Sequence, residues 1–302
     1  MGAKFLGGRF GFVPFCCGVL SFLAAGHRLN SCEVYLEYYG MAEPPFSITP
    51  NPRFLFYSAK HREAFNHLVY GIRERKGFVQ LTGEVGAGKT TICRAMLDQL
   101  GPGYSTALIL NPVMSAEQLI KAIAMEFGLN VTGFDRLETT SAINLFLLGE
   151  VEKNREAVLI IDEAQNLTND LLEQVRLLSN LETDERKLLQ IVLMGQPELR
   201  DRLNDPQLRQ LRQRITVRYH LNPLKFHEVK DYIQHRLTVA GSRNGPHFTG
   251  PAVWRVYQYS SGIPRLVNAL CDKCLLAGFV HRRHVVDFNV VGTAVRELEG
   301  KV

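Results

Sequence analysis

Residues 83–90 read GEVGAGKT, which matches the pattern G-x-x-x-x-G-K-[ST] of a loop that wraps nucleotide phosphates. The glycines allow backbone angles and a close approach to phosphate that side chains would block, so the loop amides can converge on an anion. Lys89 would add a cation for the β and γ phosphates, and Thr90 a hydroxyl for Mg²⁺. The candidate nucleotide-binding residues are Gly83, Glu84, Val85, Gly86, Ala87, Gly88, Lys89, Thr90 and Thr91.

The flanks of this motif supply the elements that it requires. Residues 77–82 are a short apolar run suited to a buried strand, and residues 91–100 place apolar side chains at helical spacing. The alternative is a glycine-rich turn that matches the pattern by accident. The strand before and the helix after favour a phosphate-binding loop instead.

A second candidate motif lies downstream, where residues 157–163 read AVLIIDE. A strand buried on both faces of a parallel sheet reads as continuous apolar sequence, and its carboxyl end opens onto the ligand crevice. Asp162 would hold Mg²⁺ through water, and Glu163 would orient or deprotonate the attacking water. The alternative is a strand that ends in two solvated acids.

Gln196 follows another predicted strand, residues 189–194. We expect this strand to lie between the strand that precedes the phosphate loop and the strand that carries Asp162. That order would bring Gln196 near the γ-phosphate and the attacking water. The alternative is a polar residue that begins the turn at Pro197.

Arginines at two further places could act on a nucleotide. Arg209, Arg212 and Arg214 precede a predicted strand, from which an arginine can reach a neighbouring subunit's nucleotide. The alternative is a solvated basic face. Arg265 follows the turn at residues 261–264 and could contact the phosphates from the C-terminal region, or could be an exposed arginine at a helix start.

Strands and helices alternate through much of the chain, which predicts an α/β fold with a parallel sheet covered by helices on both faces. Residues 44–52 are proline-rich and extended, and Ser58 can cap the helix that follows. After residue 223 only helices are expected, as a small helical lid. The predicted strands are residues 78–82, 107–111, 158–162, 189–194 and 215–220.

The composition is that of a globular protein. The 302 residues are 46% hydrophobic and 22% charged. The net charge is +5, of which residues 1–33 contribute +2, and the remaining +3 is too mild to favour nucleic acid as a partner. Cys271 and Cys274, followed by His281 and His284, have a zinc-like spacing. The two cysteines lie in an apolar helical run, so packing is the favoured interpretation.

Residues 1–33 superficially resemble a signal peptide, with an uncharged stretch at residues 10–26. ATP is intracellular, and the stretch is shorter than the ~20 apolar residues of a membrane span. We therefore expect a doubtful leader that arises from a start site placed too early, with translation beginning at Val34. The predicted divisions are 1–33 as leader, 34–221 as ATPase core and 222–302 as helical lid.

Taken together, these motifs resemble the AAA+ ATPases and, within them, the general secretion pathway protein A (ExeA-like) family. The resemblance covers almost everything after residue 33. The residues that carry it are 34–40 (VYLEYYG), 44–53 (PPFSITPNPR), 83–90, 161–167 (IDEAQNL), 195–199 (GQPEL) and 262–265 (GIPR).

The resemblance implies a P-loop three-layer αβα sandwich with a helical lid, which binds ATP and Mg²⁺ and hydrolyses ATP. It implies that Gln196 is the first sensor, Arg265 the second, and either Arg212 or Arg214 the arginine finger. The implied protein is a cytoplasmic homo-oligomer, peripheral at the inner membrane, that powers or licenses assembly of a secretion or export system.

Long members of the family carry a transmembrane segment and a peptidoglycan-binding region after the ATPase. Because this sequence ends at Val302, we expect any envelope role to act through a membrane component in trans. Two alternatives stay open. One is a DNA-dependent helper of the transposition type, which the mild charge disfavours, and the other is a slow ATP-bound regulatory switch.

Overall fold

The computed structural model of the chain describes residues 35–49, 51–182, 187–242 and 245–301. The predicted leader, residues 1–33, lies outside these ranges. The strands are β1 Phe78–Gly83, β2 Tyr104–Ile109, β3 Glu156–Ile161, β4 Leu189–Gly195, β5 Ile215–Leu221, β6 His247–Phe248 and β7 Val285–Val286. The α-helices are α1 Leu36–Tyr39, α2 Ala59–Arg73, α3 Lys89–Leu100, α4 Ala116–Glu126, α5 Arg136–Glu152, α6 Asn169–Leu178, α7 Pro197–Leu203, α8 Arg209–Arg214, α9 Phe226–Val239, α10 Gly250–Ser260, α11 Pro264–Val280 and α12 Phe288–Leu298.

Strands β1 to β5 form one parallel sheet in the order β2-β3-β4-β1-β5. β4 therefore lies between β1 and β3, as the sequence predicts. Every residue of β1 and β4 is buried, because helices cover both faces of the sheet. The predicted α/β sandwich with a parallel sheet is confirmed.

Two apolar clusters hold the helices on the sheet. On one face, α4, α5 and α6 pack against alternate residues of the strands, among them Leu159 and Leu193. On the other face, α2 and α3 pack against the intervening residues, among them Val158 and Val192. This alternation follows from the two-residue period of a strand. Ser58 caps α2 by accepting a hydrogen bond from the N–H of His61, as predicted.

The predicted bounds of β2 are wrong. The strand begins at Tyr104 and ends at Ile109, whereas the sequence favours residues 107–111. β2 is an edge strand, so its first three residues, Tyr104 to Thr106, are only partly buried. They do not form an apolar run from which a strand could be predicted. The apolar signal comes only from the buried second half.

The C-terminal region is mainly helical, but the expectation of helices alone is also wrong. β6 and β7 form a two-residue parallel pair between the helices, too short to give an alternating pattern. The cluster of α9 to α12 also contains Tyr35, Tyr39 and Phe46. These residues, which precede the sheet in sequence, therefore pack with the lid helices. The predicted division assigns them to the core, residues 34–221, and the domain bounds stay a prediction.

Within the described ranges, no helix combines the length and the apolar character needed to cross a membrane.

Candidate functional site

A cavity of about 350 Å³ opens where three parts of the chain meet. The phosphate loop and the start of α3 form its floor, the proline-rich segment at residues 47–56 forms one wall, and helices α9 and α11 form the other. We call residues 44–56 the strap. From the sequence candidates, the cavity wall contains Val85, Gly86, Gly88, Lys89, Thr90, Thr91, Glu163 and Arg265.

The loop has the backbone that its glycines predict. Gly86 and Gly88 have φ of 78° and 101°, in the region that favours glycine, and α3 begins at Lys89. Lys89 is 5% exposed, and its ammonium donates to the carbonyls of Gly83 and Glu84, at 2.8 and 3.0 Å. Burial lowers the pKa of Lys89, although the negative charges of nearby carboxylates, first among them Glu163, act to raise it.

Thr90 and Asp162 meet at the end of β3. The Thr90 hydroxyl donates to Oδ2 of Asp162 at 2.7 Å, and Oδ1 of Asp162 accepts the backbone N–H of Glu163 at 2.9 Å. Asp162 is 4% exposed. A hydroxyl and a carboxylate at this separation are the oxygen donors that suit Mg²⁺ with its remaining waters, so the residues present fit the ion.

Glu163 lies beside this pair with its carboxylate held by two amides. The side-chain amides of Gln165 and Gln196 both donate to Oε2, at 2.6 and 3.1 Å. Burial acts to raise the pKa of Glu163, but these two hydrogen bonds and the charge of Lys89 outweigh it and the pKa is lowered. Glu163 also has φ of 50°, a strained conformation for a residue with a side chain.

Arg265 brings the lid into contact with the loop. Its backbone N–H donates to the carbonyl of Gly86 at 3.2 Å. A Cβ atom added at Gly86 would lie 2.4 Å from the Cβ of Arg265, so only glycine leaves room for this contact. The structure therefore places Arg265 at the wall of the loop cavity, and its contact with phosphates stays a prediction.

The arginines before β5 lie elsewhere. Arg212 lines a second cavity of about 280 Å³ between β5 and α7, together with Arg200, Arg218 and His220. Arg214 donates to the Ser179 hydroxyl at 2.7 Å. Neither side chain lines the loop cavity. The structure therefore does not support contact of either arginine with a nucleotide bound to the same chain.

Cys271 and Cys274 are fully buried in α11, within the apolar cluster of the lid. Burial raises the pKa of both thiols, which disfavours the thiolate that a metal needs. Nowhere in the described ranges do three or more His, Cys, Asp or Glu side chains group as a metal site.

Three residues at or beside the cavity are missed by sequence reasoning. His61 contacts the loop, Gln165 holds Glu163, and Arg236 joins the lid to the strap. Arg236 is 7% exposed and donates to the carbonyls of Pro45 and Ser47. Gln165 stands inside the motif IDEAQNL, which is the one signal that could have pointed to it.

Comparison with known proteins agrees with this architecture. Residues 72–203 match the model of the AAA domain family. The General secretion pathway protein A of Aeromonas hydrophila is 46% identical over 268 residues, which are 88% of this chain and 49% of that protein. This chain therefore spans about half the length of that relative.

Solved structures share the fold at low identity. The Drosophila ORC bound to DNA has a TM-score of 0.66 at 15% identity, covering 98% of this chain and 70% of its own. The Aeropyrum pernix ORC2 protein, solved as ADPNP-ADP complexes, has a TM-score of 0.60 at 14% identity, covering 82% and 72%. The Thermotoga maritima RuvB branch migration motor has a TM-score of 0.54 at 18% identity, covering 78% and 68%.

The loop cavity, the order of the sheet and these similarities agree with one another. Residues 72–203 are therefore an AAA domain, and over 88% of its length the chain is related to General secretion pathway protein A.

Proposed function

We propose that the chain binds ATP with Mg²⁺ in the loop cavity and hydrolyses it to ADP and phosphate. One observation carries the proposal. Lys89, Thr90 and Glu163 line a single cavity, and Asp162 lies directly behind it, in contact with Thr90 at a sequence separation of 72 residues. A phosphate cradle, a cation site and a carboxylate base are the groups that phosphoryl transfer to water requires.

The loop residues act on the phosphates. The amides of residues 86–90 and the Lys89 ammonium would bind phosphate oxygens, with Lys89 leaving the carbonyls of Gly83 and Glu84 for the ligand. Thr90 and Asp162 would hold Mg²⁺, which supplies positive charge that neutralises the phosphate oxygens. Arg265, anchored on Gly86, would add a second cation from the lid.

Glu163 acts on the water. Its lowered pKa keeps the carboxylate ionised at neutral pH, so it can accept a proton. As water attacks the γ-phosphorus, the bond from that phosphorus to the bridging oxygen breaks, ADP leaves and Glu163 takes the proton of the water. Gln165 and Gln196 orient the carboxylate through Oε2. Arg212 or Arg214 would stabilise the transferring phosphoryl group of a neighbouring copy.

The position of the loop also orients the nucleotide. With the phosphates on the loop, the nucleoside must extend into the rest of the cavity, between the strap and the lid helices. Binding would therefore join three segments that are distant in sequence. Binding or loss of the nucleotide would therefore change the position of the lid helices relative to the sheet.

The cellular role is proposed from the relative. General secretion pathway protein A is named for a secretion pathway, and the chain spans 49% of it. We propose a cytoplasmic homo-oligomer, peripheral at the inner membrane, that powers or licenses assembly of a secretion or export system through a membrane component. Two alternatives are a DNA-dependent helper, which the similarity to DNA-bound ORC favours, and a slow ATP-bound switch.

The test separates binding from chemistry. Lys89→Ala should weaken ATP binding by roughly tenfold or more, because it removes a charge-assisted contact. Glu163→Gln should keep ATP binding but lower hydrolysis by roughly 10² to 10⁴. ATP affinity is measured by calorimetry and turnover by phosphate release, each with and without duplex DNA or inner-membrane vesicles.

Matched controls are Lys230→Ala on α9 and Glu152→Gln at the end of α5, both exposed residues outside the cavity wall. Equal ATP binding by Lys89→Ala and wild type would refute the site. Strong stimulation by DNA would favour the DNA-dependent helper, and tight binding with negligible turnover would favour the switch.

A further inference from the structure

His61 contacts the phosphate loop from outside the loop. It lies in the first turn of α2, is 3% exposed, and brings its ring Nε2 to 3.0 Å from the carbonyl oxygen of Ala87. Its ring Nδ1 lies 2.8 Å from the Ser58 hydroxyl. Both ring nitrogens are thus engaged, one by the loop and one by the helix cap.

The partners determine the tautomer. A carbonyl oxygen only accepts hydrogen bonds, so Nε2 of His61 must carry the proton that lies between it and Ala87. Nδ1 is then free to accept the hydroxyl proton of Ser58. The Ser58 oxygen in turn accepts the backbone N–H of His61 at 3.3 Å. The neutral ring is therefore held in one orientation and one tautomer.

Holding this carbonyl also orients the next amide. The peptide that joins Ala87 to Gly88 is trans, so its C=O and N–H point in opposite directions. When the carbonyl points to His61, the N–H of Gly88 points away from His61. Gly86 and Gly88 flank this stretch without the steric restraint of a Cβ, so the loop needs an anchor from outside to favour one orientation.

We infer that His61 is a positioning residue of the phosphate loop, which holds the carbonyl of Ala87 so that the N–H of Gly88 is presented to a nucleotide phosphate. The inference rests on the proposed ATP site. Gly88 and His61 both line the cavity, and a Cβ at Gly88 would lie 3.2 Å from Nε2 of His61, so the two residues are in close contact.

The protonation behaviour of His61 agrees with this role. Burial lowers its pKa, and the opposing influences of the Ala87 hydrogen bond and the charge of Glu228 are smaller. The neutral ring therefore prevails at neutral pH. A neutral ring with hydrogen on Nε2 adds a donor to the loop without adding a charge beside Lys89.

The first test compares two substitutions. His61→Leu removes the donor and should raise the Kd for ATP about tenfold, because phosphate binds only the fraction of loops with the amide correctly turned. The Kd for tripolyphosphate should rise by the same factor. His61→Gln keeps an N–H donor and should recover most of the affinity. His67→Leu, on the same helix but stacked on Tyr219, should change the Kd by less than about twofold.

The second test needs no substitution. Long-range ¹H–¹⁵N NMR of the wild-type protein should find the His61 proton on Nε2 and none on Nδ1. A proton on Nδ1, or a folded His61→Leu protein that binds ATP as wild type does, would overturn the inference. If wild type itself binds no ATP, the proposed function fails, and the NMR result still decides whether His61 holds the loop.

Discussion

The two ends of the cavity are built in different ways. At the phosphate end, the floor comes from near neighbours in the sequence, residues 85, 86 and 88–91. That end is braced from two sides, by the N–H of Arg265 on the Gly86 carbonyl and by His61 on the Ala87 carbonyl. Its geometry therefore depends on small residues and on backbone direction.

At the strap end, the wall comes from segments nearly two hundred residues apart. Arg236 donates to the carbonyl of Ser47 at 3.1 Å and to the hydroxyl of Tyr232 at 3.1 Å. Its guanidinium lies 4.7 Å from the centre of the Phe54 ring. Asn268 accepts the Tyr232 hydroxyl at 2.8 Å and donates to Ser47 at 3.4 Å. One buried cation thus joins the strap to the lid.

Because the two ends are built from different segments, we expect substitutions at each end to affect ligand binding in different ways. Damage at the phosphate end should reduce binding of any phosphate chain, whereas damage at the strap end should reduce stability and binding of the nucleoside. Tripolyphosphate, which has no nucleoside, distinguishes the two cases.

The largest expected effect is at Gly86. In Gly86→Ala the new Cβ meets Arg265 and the residue keeps a φ that alanine disfavours, so the Kd for both ATP and tripolyphosphate should rise about a hundredfold. Gly101→Ala is the matched control, because Gly101 has a similar φ of 74° and nothing within 4 Å of an added Cβ. Equal affinities in the two variants, measured by calorimetry, would contradict the bracing by Arg265.

A smaller effect is expected for Arg236→Met. Loss of the guanidinium leaves the carbonyl of buried Pro45 without its Arg236 donor and the carbonyl of Ser47 with Asn268 alone, so the free energy of unfolding should fall by about 2 kcal/mol. ATP affinity should fall while tripolyphosphate affinity is kept. Urea denaturation and calorimetry measure the two quantities, with Lys230→Met on the same helix as the control. Equal losses for both ligands would show that the ends are coupled.

The smallest effect is expected for Gln165→Ala. Glu163 then loses one of its two amide donors, so its pKa should rise. In a plot of turnover against pH, the decline on the acid side should therefore move to higher pH. Turnover at neutral pH should fall roughly threefold to tenfold, with ATP affinity unchanged. Asn166→Ala, which changes an exposed neighbouring side chain, should leave the profile in place. An unshifted decline in Gln165→Ala would remove this residue from the mechanism.

Much of the fold follows from patterns close together in the chain. The position of β4 between β1 and β3 could be predicted because apolar strands alternate with helices and a motif follows each strand. β2 was misplaced because half-exposed residues of an edge strand carry no apolar signal. The β6 and β7 pair was missed because two residues are too few for any period.

The loop motif and the paired carboxylates could be recognised from residue order alone, because each pattern lies within at most eight consecutive residues. Contacts across the fold could not. His61 meets Ala87 at a separation of 26 residues, and Arg236 meets Ser47 at 189. Nothing local in the sequence distinguishes these side chains from others on amphipathic helices. Their roles arise only when the helices, the strap and the loop are brought together around one cavity, where burial removes water as the alternative hydrogen-bond partner.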